Sequence, residues 1–272
     1  MKFKVIILLL SIVSLAYAEV EDKWRINLGS MFVTDFSTQM QIAPAKLPIG
    51  VMLDTKDNLG MDYSTSVFRL DGYYRFTNKH SIDFSYFGVR SDGTKTVGND
   101  FTFDEYDISA GAAVNSYFNM DVFKVNYGYS FYHNDKVELL LSAGLHVTVI
   151  DLGLSASGHI TDSKGNHIGY LEETGAKVTI PLPVLGFKGG YAIVKDTLFV
   201  VYRAEYFRLK VDGYEGNLVS TALTFEYRFY ENYGVGLGYN TNRINLDVED
   251  KDTIVRVRNN LEGVMLNLNY TY

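Results

Sequence analysis

Three groups of residues in this chain carry groups that could do chemistry. Ser155, Ser157, His159 and Asp162 hold the ingredients of a hydrolytic triad. A triad needs nucleophile, base and orienting carboxylate held within hydrogen-bond reach, and nothing in this polar stretch sets that geometry. His159 and His167, with Asp162 nearby, could ligate a metal, but their spacing matches no closed site and reads as two solvated histidines. Gly234-x-Gly236-x-Gly238 suggests a nucleotide loop, yet lacks the spacing and strand-to-helix context of a dinucleotide fingerprint. Its period of two puts the three glycines on one strand face, where they are expected to make room for bulky neighbours such as Arg228 or a Tyr. The sequence therefore assigns no catalytic residue, metal site or cofactor, and the chain reads as non-enzymatic.

Alternating charges are more informative. Along Val67–Phe76 one face carries Phe68, Leu70, Gly72, Tyr74 and Phe76, and the other Arg69, Asp71, Tyr73 and Arg75. On a helix those charges would scatter around the cylinder; on a strand they share one side. Ser81–Val89 sets Ile82, Phe84 and Tyr86 opposite Asp83 and Ser85. Lys124–Phe131 sets Val125, Tyr127, Tyr129 and Phe131 opposite Lys124, Asn126 and Ser130, and Val219–Phe229 repeats the pattern. Extending this register places Arg25, Arg69, Asp71, Arg75, Asp83, Lys124, Glu138, His146, Lys188, Arg203, Glu205, Glu226 and Arg228 on the inward face. A packed soluble core would not tolerate such a set without full pairing.

The elements that position these charges must be strands. Beyond the N-terminal segment there is no apolar run near the roughly 18 residues of a spanning helix. The chain is rich in Tyr (21) and Phe (17) and has no Cys, so stability comes from the fold rather than from disulfides. Lys2 and Lys4, the apolar run Val5–Leu15 and the small-x-small site Ala16-Tyr17-Ala18 have the layout of a cleaved secretory signal over residues 1–18. Residues 19–272 would form one barrel domain. Losing Lys2 and Lys4 takes the formal net charge from −7 to −9, a poor electrostatic partner for nucleic acid.

The expected fold is all-β: a transmembrane antiparallel up-and-down barrel of about ten strands, with eight or twelve as alternatives. The strands are expected at 24–35, 64–76, 80–90, 117–132, 137–154, 180–191, 197–210, 218–229, 233–247 and 254–272. Tight turns fall near Thr77–His80, His133–Lys136, Ile193–Asp196 and Tyr230–Tyr233, each after an aromatic strand end. Longer polar segments at 37–63, 91–116 and 155–179 alternate with them, and Phe101–Ile108 could form an extra hairpin arm. Short turns on one rim and long loops on the other is the arrangement of outer-membrane barrels, with the long loops outside the cell. Ile42–Val51, apolar and bearing Pro44 and Pro48, is either an inward constriction or lid, or a loop packed on the rim.

The last strand runs Val264-Met265-Leu266-Asn267-Leu268-Asn269-Tyr270-Thr271-Tyr272, apolar on alternate positions and ending on an aromatic. It resembles the C-terminal signal of bacterial outer-membrane barrels, with Leu268, Tyr270 and Tyr272 as the residues read by the barrel-assembly machinery. The stretches Asn58–Asp62, Phe68–Phe76 and His80–Tyr86 resemble a family of proteobacterial outer-membrane barrel proteins, of the porin-like and OmpA-like membrane-domain type. The resemblance implies the outer membrane as location, and outer-membrane lipid and lipopolysaccharide as surroundings. It hands over no catalytic residues.

Inward charges in a narrow barrel must pair across the lumen, since an unpaired buried ion costs several kcal/mol. The expected function is a non-enzymatic outer-membrane barrel, either a narrow channel for small solutes or a structural and surface protein. The alternatives are a hydrolase at the outer rim or a carrier of hydrophobic molecules. Tyr272→Asp is expected to block assembly: the variant should lose heat-modifiable migration on a gel, and normal migration would refute the terminal-strand reading.

Overall fold

The computed structural model describes residues 22–44, 52–63, 66–211, 213–249 and 253–272. The expected signal segment and most of Ile42–Val51 lie outside the described residues. Ten long strands form the wall: β1 (Trp24–Pro44), β2 (Ser66–Thr77), β3 (His80–Thr96), β4 (Ala113–His133), β5 (Val137–Thr161), β6 (His167–Val194), β7 (Leu198–Val211), β8 (Tyr214–Tyr230), β9 (Tyr233–Glu249) and β10 (Thr253–Thr271). Each pairs antiparallel with its successor, and β10 returns to β1 from Arg25↔Thr271 to Pro44↔Thr253, so the sheet closes on itself. Tyr272 completes the seam, with its N–H donating to Trp24 O at 3.0 Å and its carbonyl accepting from Trp24 N at 2.9 Å.

The rim at the tight turns is built by short-range polar contacts. Thr77 Oγ1 accepts from the His80 N–H at 3.1 Å, and Asn134 Oδ1 accepts from Lys136 and Val137 at 2.9 and 2.8 Å. Asp196 takes the left-handed conformation, φ 59°, that its turn requires. At the opposite rim the strands outrun the expected loops. β5 continues to Thr161 and β6 begins at His167, so most of the segment expected as a loop over 155–179 is a paired hairpin. Above the hydrocarbon both faces of a strand meet water or other loops, so the apolar alternation fades while backbone pairing persists. The arm over Phe101–Ile108 is present as two three-residue strands, docked on β5 through Ile108↔Ile160.

Side-chain parity divides the wall into two faces. On β4 the even residues from Val114 to Ser130 are buried, while Phe123, Val125, Tyr127, Tyr129 and Phe131 are exposed. A bulge between Val33 and Asp35 switches the inward parity of β1 from Arg25, Asn27 and Met31 to Phe36, Thr38 and Met40. The outward face is an apolar belt carrying Leu28, Phe68, Leu145, Leu185, Phe225, Leu237 and Leu268, each more than two-fifths exposed. Soluble proteins do not display a continuous apolar girdle of this extent; hydrocarbon is the solvent that suits it. Trp24 packs against Tyr270 at 5.2 Å and Tyr233 against Tyr270 at 4.9 Å, forming an aromatic girdle at the turn rim. At the loop rim the belt ends in Tyr86 and Tyr239, whose hydroxyls donate to Asp121 and Glu262 at 2.9 Å.

Phe118, fully buried and edge-on to Phe36 with centroids 5.9 Å apart, sits in the loop-side half of the interior. Truncation by Phe118→Ala should cost about 3–5 kcal/mol of unfolding free energy. Urea unfolding of the barrel in vesicles would measure this, and a cost below about 1 kcal/mol would mean that this half is not close-packed.

Candidate functional site: a two-part interior

The charged residues cluster in the turn-side half of the lumen. Arg25 pairs with Glu226 at 2.7 Å, Arg69 with Asp71 at 2.8 Å and Lys124 with Glu205 at 2.6 Å. Arg75 makes a two-pronged contact with Glu138, Nη1–Oε1 at 2.7 Å and Nη2–Oε2 at 3.1 Å. His146, fully buried, lies 3.8 Å from the Glu205 carboxylate. Arg228 pairs with Asp22 at 2.6 Å. Asp22 was missing from the sequence-based set because it precedes the first strand, where no alternation marks it; an acidic residue beside the start of a strand was the available signal. Asp83, Lys188 and Arg203 make no ion pair within 4 Å among the described residues, and the Lys188 ammonium lies over the Tyr73 ring at 4.6 Å.

These three residues border a polar void of about 100 Å³, and Lys188 and Arg203 also border a second of about 40 Å³. Both have room for waters, which need only ~10–15 Å³ each by the same measure. The turn-side half is therefore a network of ion pairs spanning the lumen, with room for water between them. Gly234, Gly236 and Gly238 face into it. A Cβ at Gly236 would lie 2.7 Å from Asn267 Oδ1, and one at Gly234 would lie 2.6 Å from Asn269 Oδ1. The bulky neighbours accommodated there are the Asn267 and Asn269 amides on β10, not Arg228 or a Tyr as the sequence suggested.

The loop-side half is largely apolar, with a few buried polar groups such as Thr38, which accepts from Asn259 Nδ2 at 2.7 Å. Met31, Phe87, Phe118, Met120, Ile150, Leu152, Leu182, Leu218 and Leu261 point inward with 0–1% exposure and form one continuous cluster. Leu59 and Met61 from the first loop and Phe101, Phe103 and Ile108 from the hairpin arm close over it. The sequence reading missed this layer because an inward Leu and an outward Leu look alike when both faces of a strand are apolar.

On one side the apolar filling is incomplete. A groove of about 410 Å³ is lined by Val178, Thr179, Ile180, Pro181, Pro183, Phe207, Leu209, Tyr214, Leu246, Val248 and Val255. Its volume is in the range of small-molecule sites, ~300–1,000 Å³. It opens beside a break in the wall. β6 and β7 pair from Val194↔Leu198 up to Leu185↔Tyr206, and among the described residues no pair follows. Beyond that point β6 pairs only with β5, and Phe207–Val211 only with β8.

The remaining candidates lie on the outer hairpins. Asp162 holds the β5–β6 turn, accepting from the Lys164 and Asn166 backbone N–H groups at 2.9 and 2.8 Å and from Asn166 Nδ2 at 2.9 Å. Hydrogen bonds from Asn166 lower its carboxyl pKa. His167 Nδ1 meets Thr161 Oγ1 at 3.1 Å. Asp162 is thus committed to the turn rather than to a His–Ser pair, and no group of three metal-ligating side chains occurs among the described residues. Leu268 and Tyr272 point outward, 62% and 67% exposed, with Tyr270 between them at the turn rim.

Replacing Arg75 by Met leaves the Glu138 carboxylate buried without its two-pronged partner, at a cost of about 3–5 kcal/mol. Adding Glu138→Leu should return most of that loss. Urea unfolding of the two variants measures it, and equal stability of Arg75→Met and the parent would mean that the pair is not sealed from water.

No protein-family model matches the chain, and no curated protein matches it in sequence. Among solved structures, the outer-membrane protease OmpT of Escherichia coli superposes with TM-score 0.56 at 13% identity, covering 95% of this chain and 99% of that one. The transport unit of the autotransporter AIDA-I of Escherichia coli gives TM-score 0.39 at 8% identity over 99% and 97% of the two chains. The toluene transporter TodX of P. putida gives 0.35 at 8% over 92% and 90%. The first likeness bears on fold alone, and the other two carry no argument. The closed ring, the lipid-facing belt and the likeness to OmpT together identify the fold of this chain as that of an outer-membrane β-barrel.

Proposed function

We propose that the protein is a non-enzymatic outer-membrane barrel, closed to solutes along its axis, that binds and carries a hydrophobic molecule on its extracellular side. The observation that carries this reading is the division of the interior. A solute crossing the lumen would have to break buried ion pairs such as Arg25–Glu226 and then pass a largely apolar layer whose few polar groups, such as Thr38 and Asn259, already bond to one another. Each half opposes what the other would tolerate. An apolar molecule held in the groove beside Phe207 and Leu246 meets no such cost. The narrow-channel reading is the less favoured of the two, since the voids along the axis are small and not continuous with the groove lining.

The purified barrel in planar bilayers should give no single-channel steps in any salt, and organic extraction followed by mass spectrometry should release a hydrophobic compound. Regular conductance steps would overturn the closed-barrel reading. Their absence together with an empty extract would leave only a structural or surface role.

A further inference from the structure

The break between β6 and β7 has a specific cause in the chain. The Ala192 N–H donates to Lys136 O on the β5 side at 2.8 Å. The β5–β6 register is unshifted from Thr174↔Leu154 to Tyr191↔Val137. The even residues of β6 therefore direct N–H toward β5, and the odd residues toward β7. Continuing the β6–β7 register beyond Leu185↔Tyr206 would set Pro183 opposite Arg208 and Pro181 opposite Lys210. Both positions call for an N–H donor toward β7, and proline has none. The ladder stops at the first of them. Two of the four prolines in the chain stand at the two positions that would extend this pairing.

The height of the break decides what lies against it. Pro181 and Pro183 pair across β5 with Val147 and Leu145, within the lipid-facing belt, and Leu185 just below is 69% exposed. Outward polar residues begin above on the β5–β6 side, at Asp151↔Lys177, but on β7 they begin level with the break, at Arg208 and Lys210. The opening thus sits where the belt meets the polar rim: Leu185, Pro183 and Pro181 form its apolar β6 edge, Arg208 and Lys210 its β7 edge, and inward-facing Ile180, Phe207 and Leu246 lie behind it.

We infer that the β6–β7 break is a lateral portal through which an acyl chain of an outer-leaflet lipid enters the apolar groove from the membrane rather than from the medium. This rests on the hydrophobic-carrier reading and names its ligand class and route. Continuity of the apolar surface from belt to groove along the β6 edge identifies the occupant. A chain passing over Leu185, Pro183 and Pro181 stays against apolar side chains, with Arg208 and the Lys210–Glu215 pair (2.8 Å) on the opposite edge.

The test uses the folded barrel in vesicles of phosphatidylcholine brominated along its acyl chains. Trp24, the single tryptophan, is replaced by Phe. One reporter is then introduced per variant: Phe207→Trp in the groove, Phe118→Trp inward behind intact wall, or Tyr206→Trp facing lipid. Quenching of the Phe207→Trp reporter should approach that of Tyr206→Trp and exceed that of Phe118→Trp several-fold. Adding Pro181→Val and Pro183→Val should restore the donors, close the wall and reduce the Phe207→Trp quenching toward the Phe118→Trp level, with heat-modifiable migration confirming that each variant folds. Phe207→Trp quenched no more than Phe118→Trp, or quenched by acrylamide instead, would overturn the portal. If the same protein still yields an extracted hydrophobic compound and no conductance, the portal fails while the carrier reading stands.

Discussion

In hydrocarbon there is no water to accept from a stray N–H or donate to a stray carbonyl, and each unsatisfied group costs several kcal/mol. That constraint organises this molecule. It excludes an open sheet, so β10 must return to β1, and the seam is carried through to the Trp24–Tyr272 backbone pair at its end. The same constraint gives the β6–β7 break its significance. Proline is the one residue type that removes a donor from a strand without leaving that donor unsatisfied. At Pro181 and Pro183 the wall opens without an orphaned donor on the β6 edge; the two proline carbonyls and the N–H and carbonyl groups of Arg208 and Lys210 face the gap, close to the polar rim.

Closing a ten-stranded ring leaves an interior that side chains must fill. Two incompatible fillings share it. Near the turns, ions pair across the lumen around voids with room for water; near the loops, methionines, leucines and phenylalanines pack as in a soluble core. Neither half resembles an aqueous path, and under the proposed function the boundary between them turns away small polar and apolar solutes alike. What remains accessible is the apolar side pocket, which faces the membrane and the outer rim.

The ring, its ten strands and the inward orientation of residues such as Arg69 and Glu226 were legible in the sequence, because charge against aromatic is a high-contrast alternation. Three features were not. The extensions of β5 and β6 above the belt keep only scattered inward apolar residues, Ala156, Ile160 and Leu171, and two register shifts in their pairing break the alternation. The bulge at Val33/Asp35 reverses parity within β1, which hid Phe36 and Met40 as inward residues. The apolar half of the lumen has the same composition as the lipid-facing belt, and only three-dimensional packing separates them. The break at β6 did leave a trace: Pro181 and Pro183 within an expected strand, a pattern confined to strand edges.

The central claim is that the wall is closed everywhere on the turn side and parted between β6 and β7 on the loop side. Cysteine pairs across this junction test it directly, because a disulfide forms only when the Cα atoms lie within about 4.4–6.8 Å. Gly190→Cys with Val201→Cys, at a paired position, should oxidise readily in the folded barrel. Leu182→Cys with Leu209→Cys, at the positions that continued pairing would bring opposite each other, should remain reduced under the same conditions. Equal oxidation of both pairs would show an unbroken wall and contradict the account.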